Sequence, residues 1–333
     1  MVVSIDQVFD EWKALVQREG KDAYRVGPSS SSLSLSSSSS SLECDDNQDD
    51  GHQQPSNINN NNNRPFQSCP KELREMICDW CYRVIDHCDI DRGVVSICLS
   101  YFDRYLSLSM PHTSSIMNTQ RESLIQLVAM SSLYLAVKLN STRKISVTMM
   151  ASLSQGNFRE DQISKMELCI IKSLRWHLHP PTPFIYLTIA SPLIEDDDRS
   201  SYSSTNNDHY QGANQGVHQD YNSNKNSNMN NNNTNTNIIE LSRYLIELSV
   251  CDGFFVDKSP SSIAHAAITL AMETMPRRTP NSVAFHRLEH DPRVTDGCAR
   301  RLRQVYDLAC LQMEEEETEG GGERSGSSPT SVF

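Results

Sequence analysis

Residues 124–138 read LIQLVAMSSLYLAVK, a long apolar segment with small residues at its centre. Its apolar side chains recur at helical spacing, at Leu124, Leu127, Val128, Leu135 and Ala136. Ser131 and Ser132 lie between them, and small side chains let neighbouring helices approach closely. The segment therefore predicts a helix over residues 120–139 that is buried at the centre of a helical unit.

Four further helices are predicted around this central one. They begin at Pro70, after Gly93, near Val147 and near Glu160, and a proline cluster at 180–183 ends the series. A second series follows at 184–193, 238–250, 259–275, 281–288 and 295–313, and its third member is again rich in alanine. The repeat and the lack of strand-like alternation predict an all-α protein of two tandem five-helix units.

Composition places the remaining residues outside these units. Hydrophobic residues make up only 37% of the 333 residues, and three segments of low complexity account for the deficit. We predict an N-terminal helix (1–27), a disordered Ser/Asn-rich segment (28–64), a first unit (65–180), a second unit (181–313) interrupted by a disordered insert (195–237), and a disordered acidic tail (314–333). The apolar stripe of the N-terminal helix is expected to dock on one of the units.

Charge and cysteine content limit the classes of function. Lys and Arg number 30 against 42 Asp and Glu, a net charge of -12, which argues against direct nucleic-acid binding. We expect no membrane span or signal peptide, because no apolar run approaches about 18 residues. Cys78 and Cys81 form a CxxC at helical spacing, for which core packing and zinc binding are the two interpretations.

Four segments of the first unit resemble, in order and spacing, motifs of the cyclin family. LREMICDW (73–80) resembles the MRxILVDW signature, and YFDRYLSL (101–108) resembles NYLDRYLS. Residues 124–138 resemble LQLVGxxxLLLAxK, and residues 163–187 resemble the segment that ends in PTPxxFL. Residues 240–271 resemble the second cyclin fold more loosely. The cysteine-bearing helix CDWCYRVID and the long inserts look most like the diatom-type cyclins.

The resemblance implies a regulatory subunit that binds and allosterically activates a cyclin-dependent protein kinase, with no catalytic group, metal or cofactor of its own. The kinase-binding positions it implies are Lys138 and Glu167, surrounded by Leu135, Leu168, Ile171 and Trp176. A lysine ammonium donates to backbone carbonyls and a carboxylate accepts from backbone amides, so such a pair can hold a loop without any reaction. Solvated helix-end charges are the alternative interpretation.

A second surface implied by the resemblance docks substrate or inhibitor motifs and comprises Leu73, Met76, Ile77, Trp80 and Gln126. Arg83 stands where the family usually has an acidic residue, so recognition of basic docking motifs is in doubt. Arg74 and Asp79 match the signature and are predicted to form a structural ion pair. The chain also reads LNSTRK after Ala136-Val137-Lys138, where many cyclins carry two acidic residues.

The tail and the family suggest further properties. Ser328 precedes Pro329 and is a candidate for proline-directed phosphorylation. The resemblance implies cell-cycle control and a location in the nucleus and cytoplasm. A transcriptional cyclin and a transcription-factor-IIB-like use of the paired folds remain the alternatives; the latter would require a zinc ribbon and a basic face.

Overall fold

The structure is a computed structural model that describes residues 4–26, 69–109, 118–195, 223–275 and 284–319. These residues form ten α-helices, three 3-10 turns and no strand. The helices are α1 (Ile5–Glu19), α2 (Lys71–His87), α3 (Gly93–Ser109), α4 (Asn118–Asn140), α5 (Val147–Leu153), α6 (Glu160–Ser173), α7 (Pro183–Glu195), α8 (Ser223–Cys251), α9 (Pro260–Thr274) and α10 (Pro292–Glu319). The all-α prediction is confirmed.

Helices α2 to α6 form the first unit, with α4 at its centre. Helix α4 packs against α3 and α6. Its central side chains are fully buried, among them Val128, Met130, Leu133 and Val137. The small residues Ser131 and Ser132 are buried with them, and the Ser131 hydroxyl donates to the Ile163 carbonyl of α6 at 3.3 Å. The central helix predicted from residues 124–138 is therefore confirmed.

By length and composition alone, α4 could also cross a membrane, contrary to the expectation from apolar runs. The segment Gln120–Asn140 has a mean hydropathy of 1.3, and 56% of it is buried inside the protein. An amphipathic surface helix would bury one stripe, whereas a central helix buries most of its circumference and so resembles a membrane span in composition. Its packing between α3 and α6 accounts for this apolar character without a bilayer.

Helices α7 to α10 form the second unit around α9, in which Ala264, Ala266, Ala267 and Ala271 are fully buried. A 3-10 turn, Phe285–Arg287, stands in the place of the predicted short helix 281–288. Helix α8 begins at Ser223 and α10 ends at Glu319, so both extend beyond their predicted bounds of 238 and 313. Extending a formed helix adds one hydrogen bond per residue fixed and needs no new nucleus.

Helix α1 docks on the second unit, as its apolar stripe predicted. Ser4 caps α1 by accepting from the Gln7 amide at 3.2 Å. Trp12 is 1% exposed, and its ring meets Tyr186 of α7 edge-on at 4.6 Å between centroids. The indole Nε1 donates to the Glu289 carbonyl at 2.8 Å. An aromatic side chain with a satisfied polar atom is a strong anchor, so Trp12 fixes α1 in place.

The C-terminal end of α1 also supports the start of α9. The Glu19 carboxylate accepts from the Ser261 amide at 3.1 Å and from the Tyr186 hydroxyl at 2.9 Å. Ser261 lies in the first turn of α9, where amides lack helical partners and the helix dipole favours negative charge. Burial raises the pKa of Glu19, and these hydrogen bonds oppose the rise. A residue from the first helix thus stabilises the first turn of a helix 240 positions away.

The two units meet where α2 and α3 pack against α8, and a buried ion pair lies at this junction. Arg74 Nη1 is 2.6 Å from Asp103 Oδ1, and Arg74 Nη2 donates to the Val250 carbonyl of α8 at 3.1 Å. The predicted pair of Arg74 with Asp79 is therefore wrong. Asp79 is exposed and pairs with Arg83 at 2.9 Å. Positions five apart on a helix point about 140° away from each other, so Arg74 faces inward and Asp79 faces solvent.

Candidate functional site

Lys138 and Glu167 form an ion pair between the last turn of α4 and the middle of α6. Lys138 Nζ is 2.9 Å from Glu167 Oε1. The Glu167 residue is only 8% exposed, whereas half of the Lys138 side chain is in solvent. The hydrogen bond that Lys138 donates to Glu167 raises the pKa of Lys138. The geometry presents a charged ammonium at the surface and holds it from below with a buried carboxylate.

The end of α4 is itself fixed, which orients the ammonium. Lys144 Nζ donates to the Lys138 carbonyl at 2.8 Å and so supplies a partner for a C-terminal carbonyl of the helix. The Lys138 ammonium also lies 5.4 Å from the centre of the Tyr134 ring. An ammonium has three donors and the bond to Glu167 uses one, so Lys138 can donate to backbone carbonyls of a bound protein.

Exposed and partly exposed apolar side chains follow Glu167 along α6 and beyond its end. Leu168 is 47% exposed, Trp176 is 71% exposed, and Ile171 is partly exposed. We call Lys138, Glu167, Leu168, Ile171 and Trp176 the α4–α6 face. Exposed large apolar groups around a charge are typical of a protein-binding surface.

Two residues change the predicted membership of this surface. Leu135 is 1% exposed and lies in the core, so the contact predicted for it is wrong. It lies on α4 three residues before Lys138, where the helix is still enclosed by its neighbours. Leu139 is 43% exposed beside Lys138 and was not predicted. An apolar residue at a helix end carries no sequence signal that separates surface from core.

The chain turns sharply after α6, and this turn exposes Trp176. Helix α6 ends at Ser173. Arg175 and Trp176 have φ values of 49° and 63°, and the Trp176 amide donates to the Ile171 carbonyl at 3.2 Å. Left-handed backbone closes a helix C-terminus in this way and usually needs glycine. Two consecutive non-glycine residues there are strained, and strain of this kind concentrates at functional segments.

Most of the residues predicted to form the docking surface are buried. Leu73 is 7% exposed, and Ile77 and Trp80 are fully buried, so their predicted exposure is wrong. These three positions form the inward stripe of α2, because residues four and three apart share one helix face. Met76, 48% exposed, and the partly exposed Gln126 remain available.

The remaining predicted sites separate into packing residues and residues outside the described ranges. Cys78 and Cys81 are both fully buried in α2, which confirms core packing for the CxxC motif. Within the described ranges, no three His, Cys, Asp or Glu side chains are grouped so that they could hold a metal ion. Ser328, the phosphorylation candidate, lies outside the described residues, as do residues 28–64 and 196–222.

Comparison with known families accounts for most of the chain. The family model for the N-terminal domain of cyclins matches residues 47–179, and that for the C-terminal domain matches residues 220–318. Together the two matches cover more than half of the chain.

Individual relatives agree with the family models. G1/S-specific cyclin-E1 of Gallus gallus is 30% identical over 118 residues, which are 35% of this chain and 27% of that protein. The chain thus aligns with about a quarter of that relative's length. G1/S-specific cyclin-D1 of Pongo abelii is 20% identical over 253 residues, 73% of this chain and 71% of that protein.

The fold agrees as well. The X-ray structure of a viral cyclin from Herpesvirus saimiri has a TM-score of 0.50 at 13% identity, over 72% of this chain and 86% of the viral chain. The overall fold is therefore similar to that of a solved cyclin. From the two domain matches, the aligned relatives and this shared fold, we conclude that the chain belongs to the cyclin family.

Proposed function

We propose that the chain is the regulatory subunit of a cyclin-dependent protein kinase and that it activates the kinase allosterically in cell-cycle control. The observation that carries this proposal is the Lys138–Glu167 pair, in which a half-exposed ammonium sits on a buried carboxylate beside exposed Leu168 and Trp176. Family membership supports a kinase as the partner.

The mechanism we propose requires no catalytic group from this chain. By packing on the mobile helix of the kinase, the α4–α6 face stabilises the arrangement in which the active-site residues of the kinase are aligned. To shift a kinase from 1% to 99% active, the subunit must bind the active form more tightly by about 5.5 kcal/mol. A rigid face with a charged pair and a few apolar anchors can supply a difference of that size.

The test begins with affinity capture of a kinase by the full chain from extracts of the source cells and its identification by mass spectrometry. The identified kinase is then reconstituted with the wild type and with the Lys138→Ala/Glu167→Ala double variant. We expect at least a tenfold loss of kinase binding and activation in the double variant.

Glu273→Ala/Arg303→Ala is the matched control, since it removes an exposed ion pair, 2.5 Å long, between α9 and α10 of the second unit. It should bind and activate as the wild type does. Equal activation by wild type and by the Lys138→Ala/Glu167→Ala variant would reject the α4–α6 face. Salt-dependent binding of duplex DNA at physiological ionic strength would instead favour the transcription-factor-like alternative.

A further inference from the structure

Four buried or partly buried thiols meet where α2, α3 and α8 pack together. Cys78 and Cys81 come from α2, Cys98 from α3, and Cys251 is the last residue of α8. Cys78 and Cys251 are electrostatic neighbours, as are Cys81 and Cys98. The first of these pairs joins the first five-helix unit to the second, whereas the other lies within the first unit.

The Cys78–Cys251 pair is held in place by its surroundings. Cys78 Sγ lies 3.6 Å from the carbonyl oxygen of Val250, the residue before Cys251. The Arg74 guanidinium donates to the same carbonyl at 3.1 Å and is itself bound to Asp103. These contacts fix the end of α8 against α2, so the two sulfur atoms remain neighbours in the folded chain.

Exposure and charge give the two sulfur atoms different roles. Cys251 is partly exposed, whereas Cys78 is fully buried, so a small oxidant reaches Cys251 first. Interaction with the Cys78 thiol lowers the pKa of Cys251 against the opposing effect of burial, and the nearby Arg74 charge acts with Cys78. A thiolate that is accessible to solvent and has a second thiol beside it is the arrangement that reacts with peroxides.

The Cys81–Cys98 pair lacks this access. Both of its residues are fully buried, and burial is the main cause of the raised pKa of Cys81. A thiol that is buried and protonated reacts slowly. The two pairs are therefore close in space and unequal in reactivity.

We propose that hydrogen peroxide oxidises Cys251 and Cys78 to a disulfide that links the two five-helix units covalently. First, the Cys251 thiolate takes one oxygen from the peroxide, the O–O bond breaks, and the leaving hydroxide takes up the proton that the Cys251 thiol has released. Cys251 is now a sulfenic acid. The Cys78 sulfur then attacks the Cys251 sulfur, and the sulfenic oxygen leaves as water with the Cys78 proton. Two thiols and one peroxide give one disulfide and two waters.

The test uses the full chain carrying Cys169→Ser, which removes an exposed thiol that could join two molecules. The reduced protein is treated with hydrogen peroxide, blocked with N-ethylmaleimide and digested with trypsin without reductant. Trypsin releases residues 75–83, which contain Cys78 and Cys81, and residues 244–258, which contain Cys251. We expect at least a tenfold increase in the linked pair of peptides, its loss on reduction, and fragment ions that place the link at Cys78.

Two variants locate the link independently. Cys78→Ser should abolish the linked peptides and Cys81→Ser should retain them, with circular dichroism confirming the helical fold of each. A link at Cys81 or Cys98, or Cys251 found only as its maleimide adduct or as a sulfinic acid, would overturn the proposal. Fragment ions from the protein with native Cys78 and Cys81 identify the linked residue directly, so the test stands even where a variant does not fold.

Discussion

The two five-helix units place an ion pair at the same point and use it differently. Counted from the Leu-Ala pairs at 135–136 and 270–271, Lys138 of α4 and Glu273 of α9 occupy the same position. Each pairs with the last helix of its unit, with Glu167 and Arg303 respectively, so the charges are reversed. Glu167 is buried, whereas the side chains of Glu273 and Arg303 are both more than half exposed. The fold provides the position of the pair, and burial of one partner distinguishes the candidate site.

The same register reveals a second difference inside the central helices. Met130 of α4 corresponds to His265 of α9. Met130 is fully buried and His265 is 5% exposed, so an apolar side chain in one unit is replaced by a titratable one in the other. His265 lies in a group of rings, stacked on His290 at 3.8 Å and on Phe285 at 4.5 Å between centroids. The second unit is therefore expected to respond to acid where the first does not.

The largest effect is expected from the buried Arg74–Asp103 pair at the junction of the units. Asp103→Ala leaves the Arg74 guanidinium buried without its counter-ion, and removing one member of a buried pair costs about 3–5 kcal/mol. Urea unfolding followed by circular dichroism measures the loss. Asp79→Ala, which removes an exposed partner of Arg83, should cost about 0.5 kcal/mol or less. Equal losses in the two variants would show that burial does not rank these pairs.

Two tryptophans test whether α1 belongs to the second unit. Trp12 is buried against Tyr186, so Trp12→Ala should lower the free energy of unfolding by about 3–5 kcal/mol. Trp176 is 71% exposed, so Trp176→Ala should change it by about 0.5 kcal/mol or less while weakening kinase binding. Thermal unfolding and the reconstituted kinase assay measure the two effects. A large loss of stability in Trp176→Ala would show that this side chain is packed in the core.

An asymmetry is expected within the Lys138–Glu167 pair. Lys138→Ala leaves the buried carboxylate without its partner and should cost about 1–3 kcal/mol. Glu167→Gln leaves a lysine that solvent can hydrate, so it should cost less. In the second unit, Glu273→Ala and Arg303→Ala should each cost about 0.5 kcal/mol or less. Chemical denaturation of the four variants measures these costs, and similar costs in both units would show that burial of Glu167 does not distinguish the two pairs.

The smallest effect concerns pH. Burial, followed by the charges of His290 and His286, lowers the pKa of His265 to about 3. The unfolded chain takes up a proton at this histidine below about pH 6.5, whereas the folded chain does so only near pH 3. The stability that neutral His265 contributes above pH 6.5 is thus lost as the pH falls. The free energy of unfolding should decrease by about 1 kcal/mol between pH 7 and pH 5.5.

Replacing His265 with methionine, the residue at the corresponding position 130 of the first unit, provides the control for this pH effect. His265→Met should flatten the pH dependence of the unfolding free energy between pH 7 and pH 5.5 by about 1 kcal/mol. Denaturation midpoints at the two pH values measure this. An unchanged slope would assign the acid sensitivity to other groups.

The fold was predictable because helical periodicity and repetition are local properties of the sequence. The apolar pattern of residues 124–138 predicted the buried helix α4, and the alanines of α9 predicted the buried central helix of the second unit. The failures occurred where local pattern carries no information about direction. The motif predicts Asp79 as the partner of Arg74, yet the structure pairs Arg74 with Asp103 on the next helix.

The candidate site was predictable only in part. The positions of Lys138, Glu167, Leu168 and Trp176 came from the resemblance, and the structure shows that the last two are exposed. Helical periodicity does not distinguish Leu135 in the core from Leu139 at the surface, because residues four apart share one helix face. The left-handed turn that exposes Trp176 contains no glycine, so the sequence does not predict it. Pairing between distant helices and backbone strain emerge only from the folded chain.

The attachment of α1 has a consequence for the order in which the protein can fold. Trp12 is synthesised 277 residues before its hydrogen-bond acceptor, the Glu289 carbonyl. At about 5 to 20 residues per second, that interval is on the order of tens of seconds. During this time the indole Nε1 of Trp12 lacks this acceptor, and contacts of such long sequence separation form late. Helix α1 therefore completes its packing only after α7, α8 and α9 have been synthesised.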